Sequence, residues 1–265
     1  MVPASHAEQG LAPLRELLTS DDVNEVVINP DGGIWVERSG SEHMIRWEGS
    51  LPETRIKPLG GHLAGETGNQ LGAKHPIVSG RVVLFGQTMR VQIIVPPAIE
   101  KGVSVSIRKY VSRVLDVQEV GFLDSGQVDV DALRLERLKT LTDMARAGDL
   151  ENLFRAAIHD KLNILVSGGT SSGKTTLARA LLAISDRNER MVTIEDAPEL
   201  HLPHLNTVAL VAERRGGSER SPTLLLESAL RMRPDRLILG EIRGVEALNF
   251  LEAINTGPVS YTHLR

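Results

Sequence analysis

Cysteine is absent from the 265 residues of this chain. That excludes disulfides and thiolate metal sites and points towards a reducing cytoplasm. Aromatic residues make up only 3% of the chain, and Trp35, Trp47 and the few others give no stripe on which nucleic-acid bases could stack. An excess of positive charge is missing too. Thirty basic against 34 acidic side chains leave a net charge of −4, so no global basic field draws the protein to nucleic acid or anionic lipid. No direct sequence-specific nucleic-acid binding is expected. No apolar run approaches the roughly 20 residues of a membrane span, and "MVPASHAEQG" lacks the charged and apolar parts of a signal peptide. The expectation is a soluble protein, with docking to a membrane-bound partner left open. The length suits about two domains.

The organisation changes along the chain. Residues 1–110 read as a small α+β domain of short strands, "VNEVVIN" and "GIWVER" flanking the turn "PDGG", then "HMIRW", "TMRVQIIV" and "GVSVSIRK". Residues 111–130 show no sustained period and read as a linker. From Asp131 a helical stripe runs through Leu135, Leu138, Leu141, Thr142 and Ala145, with Gly148 past its end. Strand-like runs follow at 162–167, 191–195, 208–212 and 236–241, with helical patterns between several of them. Alternating strands and helices over 131–265 predict a mainly parallel sheet covered on both faces.

"LVSGGTSSGKTTLARALL", residues 165–182, supplies the chemistry. Gly168-x-x-x-x-Gly173-Lys174-Thr175 fits the phosphate-binding loop, whose backbone N–H groups wrap phosphates at a helix N-terminus. An ordinary Gly/Ser turn would share the spacing, but the buried-strand run before it and the helical recurrence of Leu177, Ala178, Leu181 and Leu182 after it favour the loop. Residues Gly168, Gly169, Thr170, Ser171, Ser172, Gly173, Lys174, Thr175 and Thr176 are thus expected to hold ATP, Lys174 on the β- and γ-phosphates and Thr175 on Mg²⁺.

Two acidic clusters end strands of the same sheet, where open α/β sheets bind ligands. In "VTIEDAPEL" these are Glu195 and Asp196. In "RPDRLILGEIRG" it is Glu241, preceded by Gly240 where many P-loop ATPases carry an Mg²⁺-supporting aspartate. Glu195 or Asp196 is expected to supply that outer-shell carboxylate, and Glu241 to position or deprotonate water.

These motifs together with "LRMRPDR" resemble the secretion ATPases of the type II and type IV secretion superfamily, and the N-terminal half is most like the branch serving type IV secretion and conjugation. The resemblance covers nearly the whole chain, up to Gly257. It implies a RecA-like α/β P-loop ATPase domain behind a small α+β domain, and a homohexamer at the cytoplasmic face of the inner membrane, bound to inner-membrane components of the machine. It also implies ATP hydrolysis that drives pilus assembly or export, with nucleotide held between the two domains. Arg90 and Arg108 fall on positions that face the terminal phosphate in such proteins, and a guanidinium fork suits phosphate oxygens. The alternative is that both are strand-surface arginines in salt bridges. Arg231 and Arg233 could reach a neighbouring subunit's nucleotide or form interface ion pairs, and His201 and His204 read as loop histidines.

After "NTG" the family pattern breaks. Pro258 stands where a histidine belongs, "PVSYTHLR" replaces a γ-phosphate-sensing box, and the chain reads as C-terminally truncated. A nucleotide-gated assembly module that binds without productive hydrolysis is the alternative to a motor, and a small-molecule kinase a weaker third.

Overall fold

The computed structural model describes residues 4–110, 129–244, 246–256 and 260–264. Two short helices, α1 (His6–Gly10) and α2 (Arg15–Thr19), lead into the hairpin of β1 (Val23–Ile28) and β2 (Ile34–Arg38). Gly32, at φ 85, makes the turn that "PDGG" predicts. Then come β3 (Ile45–Arg46), α3 (Glu53–Glu66), β4 (Ile77–Leu84), β5 (Gln87–Ile94) and β6 (Ser104–Lys109). The six strands form one sheet in the order β3-β2-β1-β6-β5-β4, antiparallel at every pairing. One face is apolar: Val26, Ile28, Met89, Val91, Ile93, Val105 and Ile107 bury against Leu11, Leu14 and Leu18 and against Leu59 and Leu63 of α3. The other face carries Glu25, Asn29, Gln92, Ser104 and Ser106, all of them buried.

The linker expected over 111–130 lies outside the described residues except for its last two, and Val130 already opens α4 (Val130–Ala147), capped by the Asp129 side chain. The helix ends at Gly148, φ 74, in the left-handed conformation that glycine adopts without strain. Its stripe is not core: Leu135 and Leu138 are exposed, and only Leu141 is half-buried among the predicted five. Next come α5 (Leu150–His159), β7 (Ile164–Val166), α6 (Lys174–Ala183), β8 (Met191–Glu195), β9 (Thr207–Val211), α7 (Pro222–Leu230), β10 (Arg236–Leu239), α8 (Glu246–Thr256) and β11 (Ser260–Leu264). The second sheet runs β7-β11-β10-β8-β9, parallel at each pairing. Leu237 and Leu239 of β10 pack with Leu225, Leu226 and Phe250 from α7 and α8. Ile238, on the opposite face, packs with Ala178 and Leu182 of α6.

The strand-like runs read from the sequence end at 241, yet "SYTHL" is a further parallel strand between β7 and β10, Thr262 opposite Ile164 and Leu239 opposite His263. Tyr261 and Thr262, an aromatic and a β-branched residue, suit a strand already flanked on both sides.

The halves meet in two places: Ile94, Ala98 and Ile99 pack into the core of the second half, with the Ala98 carbonyl accepting the Val211 N–H at 2.8 Å, and a polar layer lies at the N-terminal ends of the parallel strands. Arg190, fully buried, donates from Nη1 to Asn29 Oδ1 at 2.7 Å and from Nε to the Met232 carbonyl at 2.8 Å. Asn29 also donates to Asn206 at 3.0 Å, and Arg233 pairs with Glu37 at 2.8 Å. Beside this layer the buried Arg236 is paired with Glu189. "RMRPDR" is therefore largely fastening: Arg231, Arg233, Asp235 and the Met232 carbonyl join the layer between the two sheets, while Arg236 is held within the second half. Among the described residues no helix is long and apolar enough to cross a membrane.

Candidate functional site

The loop after β7 folds as the glycine spacing predicts. Ser171 (φ 60) and Gly173 (φ 86) both take the left-handed conformation, which turns successive N–H groups towards one concavity. A Cβ on Gly168 would stand 2.6 Å from Ser172 Oγ, so any side chain there would force Ser172 to move. Helix α6 starts at Lys174 with no side-chain cap, leaving its first-turn amides for a ligand. The Lys174 ammonium rests on the Gly169 carbonyl at 2.6 Å. Gly169, Thr170, Ser172 and Thr176 are exposed along this loop, and the half-buried Thr175 makes no side-chain hydrogen bond among the described residues.

Because the strands are parallel, the segments after β8 and β10 lie on the same edge as this loop. β10 is two strand positions from β7, about 10 Å. The two acids after β8 divide. Glu195 is buried, and its Oε2 accepts the N–H of Glu199 at 2.8 Å and of Leu200 at 3.1 Å, strapping down the following loop. Its Cγ would lie 3.0 Å from a Cβ on Gly240. Any side chain at position 240 would press on Glu195, which would have to give by a few tenths of an ångström. Asp196 is the acid left open at the edge, with a side chain 43% exposed. Glu241, also on this edge, has its carboxylate 2.5 Å from the Arg243 guanidinium.

Two residues that the motifs do not mark complete the edge. Arg214, on the loop after β9, donates from Nε to both Asp196 oxygens, from Nη1 to Glu246 Oε1 and from Nη2 to the Glu241 carbonyl, at 2.8–3.1 Å. Glu246 also accepts the N–H groups of Arg243 and Gly244 at 2.7 and 3.0 Å. Burial alone would raise the Glu246 carboxyl, but the Arg243 N–H and the Arg214 guanidinium outweigh it and hold it at about 2.

The structure does not bring Arg90 and Arg108 to the loop of their own chain. They sit directly opposite each other on β5 and β6, in a row that runs Arg81, Arg90, Arg108, Glu25, Glu37 across neighbouring strands. Glu25 and Glu37 face Arg190 and Arg233 at the N-terminal end of the parallel sheet, opposite the P-loop edge. Arg81 and Arg90 have no acidic partner among the described residues, although Arg90 lies over the Tyr110 ring. Arg231 reaches Ser79 Oγ at 3.4 Å, so both it and Arg233 face their own first sheet. His201 is exposed, whereas His204 is buried against Ser185 Oγ.

The residues present suit a magnesium–nucleotide. An uncapped helix end behind a wrapped loop accepts a polyphosphate, and Lys174 is free to exchange a carbonyl for phosphate oxygens. Among the described residues no three acidic or histidine side chains converge on a metal position.

Comparison with known proteins agrees with this geometry. The family described as type II/IV secretion system protein matches residues 7–264. The type IV secretion system protein VirB11 of Bartonella henselae is 34% identical over 263 residues, spanning 93% of this chain and 73% of that protein. The probable conjugal transfer protein TrbB of Sinorhizobium fredii is 32% identical over 243 residues, 91% of this chain and 66% of that protein. The crystal structure of the VirB11 ATPase from the Brucella suis type IV secretion system, in complex with sulphate, superposes with a TM-score of 0.82 at 30% identity, over 97% of this chain and 75% of that one. The chain belongs to the type II/IV secretion system protein family.

Proposed function

We propose that the chain is a subunit of an ATP-hydrolysing motor that energises type IV secretion or conjugation, working as a homohexamer peripheral to the cytoplasmic face of the inner membrane. The observation that carries the reading is the uncapped, left-handed loop at Gly168–Lys174 sharing one sheet edge with Asp196 and Glu241. Backbone amides of the loop and the Lys174 ammonium bind the phosphates, the Thr175 hydroxyl and Asp196 hold Mg²⁺, and Glu241 orients the attacking water. The ion, when bound, neutralises charge on the phosphate oxygens. Glu195 keeps the Asp196 loop in place. Arg90 and Arg108 complete the site of a neighbouring copy, since they face away from their own loop. The Glu241–Arg243 pair favours a resting state that binds nucleotide without turning it over. That observation keeps a nucleotide-gated assembly module as the second reading.

The test combines binding of a fluorescent ATP analogue with phosphate release. Lys174→Ala should weaken binding or turnover by orders of magnitude with the fold intact. Mixing it with an Arg90→Ala, Arg108→Ala double variant should restore part of the turnover that each lacks alone. ATP binding that ignores Lys174 would refute the site, and failure of the mixture to recover activity would refute completion by a neighbour.

A further inference from the structure

The Arg214 guanidinium engages all three of its nitrogens on three separate segments: Asp196 after β8, the Glu241 carbonyl after β10, and Glu246 at the head of α8. Through Glu246, which accepts the N–H groups of Arg243 and Gly244, the same guanidinium also governs the turn that follows Glu241. Arg215, its sequence neighbour, makes no side-chain hydrogen bond or ion pair among the described residues. The contacts therefore belong to a built position and not to a generally basic loop. Only the carbonyl of Glu241 is bound by Arg214, and its carboxylate is held by Arg243 alone. The backbone is thus pinned while the side chain can leave Arg243.

We propose that Arg214 is a positioning residue: it sets the separation and aim of Asp196 and Glu241 across the phosphate edge without touching nucleotide. The inference rests on the nucleotide reading above and adds a residue to it. A planar fork suits this place because three separate nitrogens reach acceptors on three segments, whereas a lysine gathers its three donors on one atom and cannot span all three. Without the fork, Asp196 is free to turn away from the metal position, while the loop that wraps the phosphates, two strand positions or more away, is untouched.

The experiment uses the full chain and its Arg214→Ala, Arg214→Lys and Arg214→Gln variants, with Lys174→Ala alongside. ATP affinity is measured with excess Mg²⁺ and again with EDTA, and turnover is followed where present. The Arg214 variants should keep metal-free affinity within about twofold and lose at least fivefold of the Mg²⁺-dependent gain, and kcat should fall at least tenfold with KM within threefold. Arg214→Lys should recover only part. Combined with Asp196→Asn, Arg214→Ala should add little further loss, since both act on one carboxylate. Thermal melts identify any variant that fails to fold, and Arg214→Lys and Arg214→Gln keep the test open if Arg214→Ala unfolds. An unchanged or larger Mg²⁺ gain, additive effects, or metal-free affinity falling as much as the Mg²⁺ gain would overturn the assignment. Loss of Lys174 dependence in the unmodified chain would instead overturn the nucleotide reading itself.

Discussion

Glu241 is the residue on which a motor and a mere binder differ. Its carboxylate touches Arg243 and no part of the P-loop, so Glu241→Gln should leave ATP affinity within about threefold and slow hydrolysis by two orders of magnitude or more. Equal loss of binding and turnover would make Glu241 a metal support and not a water-orienting acid. The residues named in advance share a property. Lys174, Thr175, Asp196 and Glu241 each sit in a short motif whose geometry is set by the few residues around it. Arg214 could not be read that way. Its partners are 18, 27 and 32 positions distant, and "AERRGG" does not say which of two adjacent arginines turns inward. Glu195 was legible as an acid at a strand end. Its duty as a strap was not, because that depends on the N–H groups of Glu199 and Leu200 turning back to it.

At the scale of elements, the ends of β8 and β10 are held at a spacing that Gly240 permits. A methyl there meets Glu195 Cγ at 3.0 Å and the Ile194 carbonyl at 3.5 Å. Gly240→Ala should therefore destabilise the fold by about 1–3 kcal/mol. In urea melts the penalty should shrink in a Glu195→Ala background, because the two changes act on one space. A full penalty in both backgrounds would mean that the crowding lies elsewhere. Period-two strands such as β5 and β6, the β-branched run of β8 and the aliphatic run of β10 were visible in the residue pattern because burial imposes it directly. Helix α3 was not. Pro58, Gly60, Gly61 and Gly65 argue against a helix locally, yet Leu59 and Leu63 are fully buried beneath the first sheet, and packing outweighs propensity. Strand β4 was hidden by Gly80, whose missing side chain makes room for Thr67. The stripe on α4 shows the converse. Its periodicity forecasts the helix correctly, but periodicity cannot say that a face is covered, and Leu135 and Leu138 are exposed.

At the scale of the whole molecule, the layer between the two sheets makes stability depend on pH. Burial pushes the Glu25 carboxyl up to about 7, against the pull of Arg190, while Glu37 adds to the rise and Arg108 and Arg233 oppose it. A carboxyl raised above its ordinary 4.5 takes up a proton on folding, so its contribution is intact below about pH 4.5 and is lost as pH rises to about 7. The loss is on the order of 3 kcal/mol. Glu25→Gln should flatten that slope, giving a melting temperature that varies less between pH 5 and 8 than in the unmodified chain. An identical pH profile would show that Glu25 titrates like an exposed acid.

The same layer fixes which end of the parallel strands the first sheet covers, and this has a consequence for symmetry. Under the proposed function, the P-loop edge and the arginine row are unlike surfaces at opposite ends of one chain. Unlike surfaces mate only in a heterologous contact, and a two-fold dimer would set each against its own kind. In an open run of chains, the loop at one extremity always lacks its arginines, so a pair holds one complete site between two chains and each addition contributes one more. Only closure of the run completes the last. Turnover per chain should therefore climb with assembly size and reach its ceiling when the two extremities join.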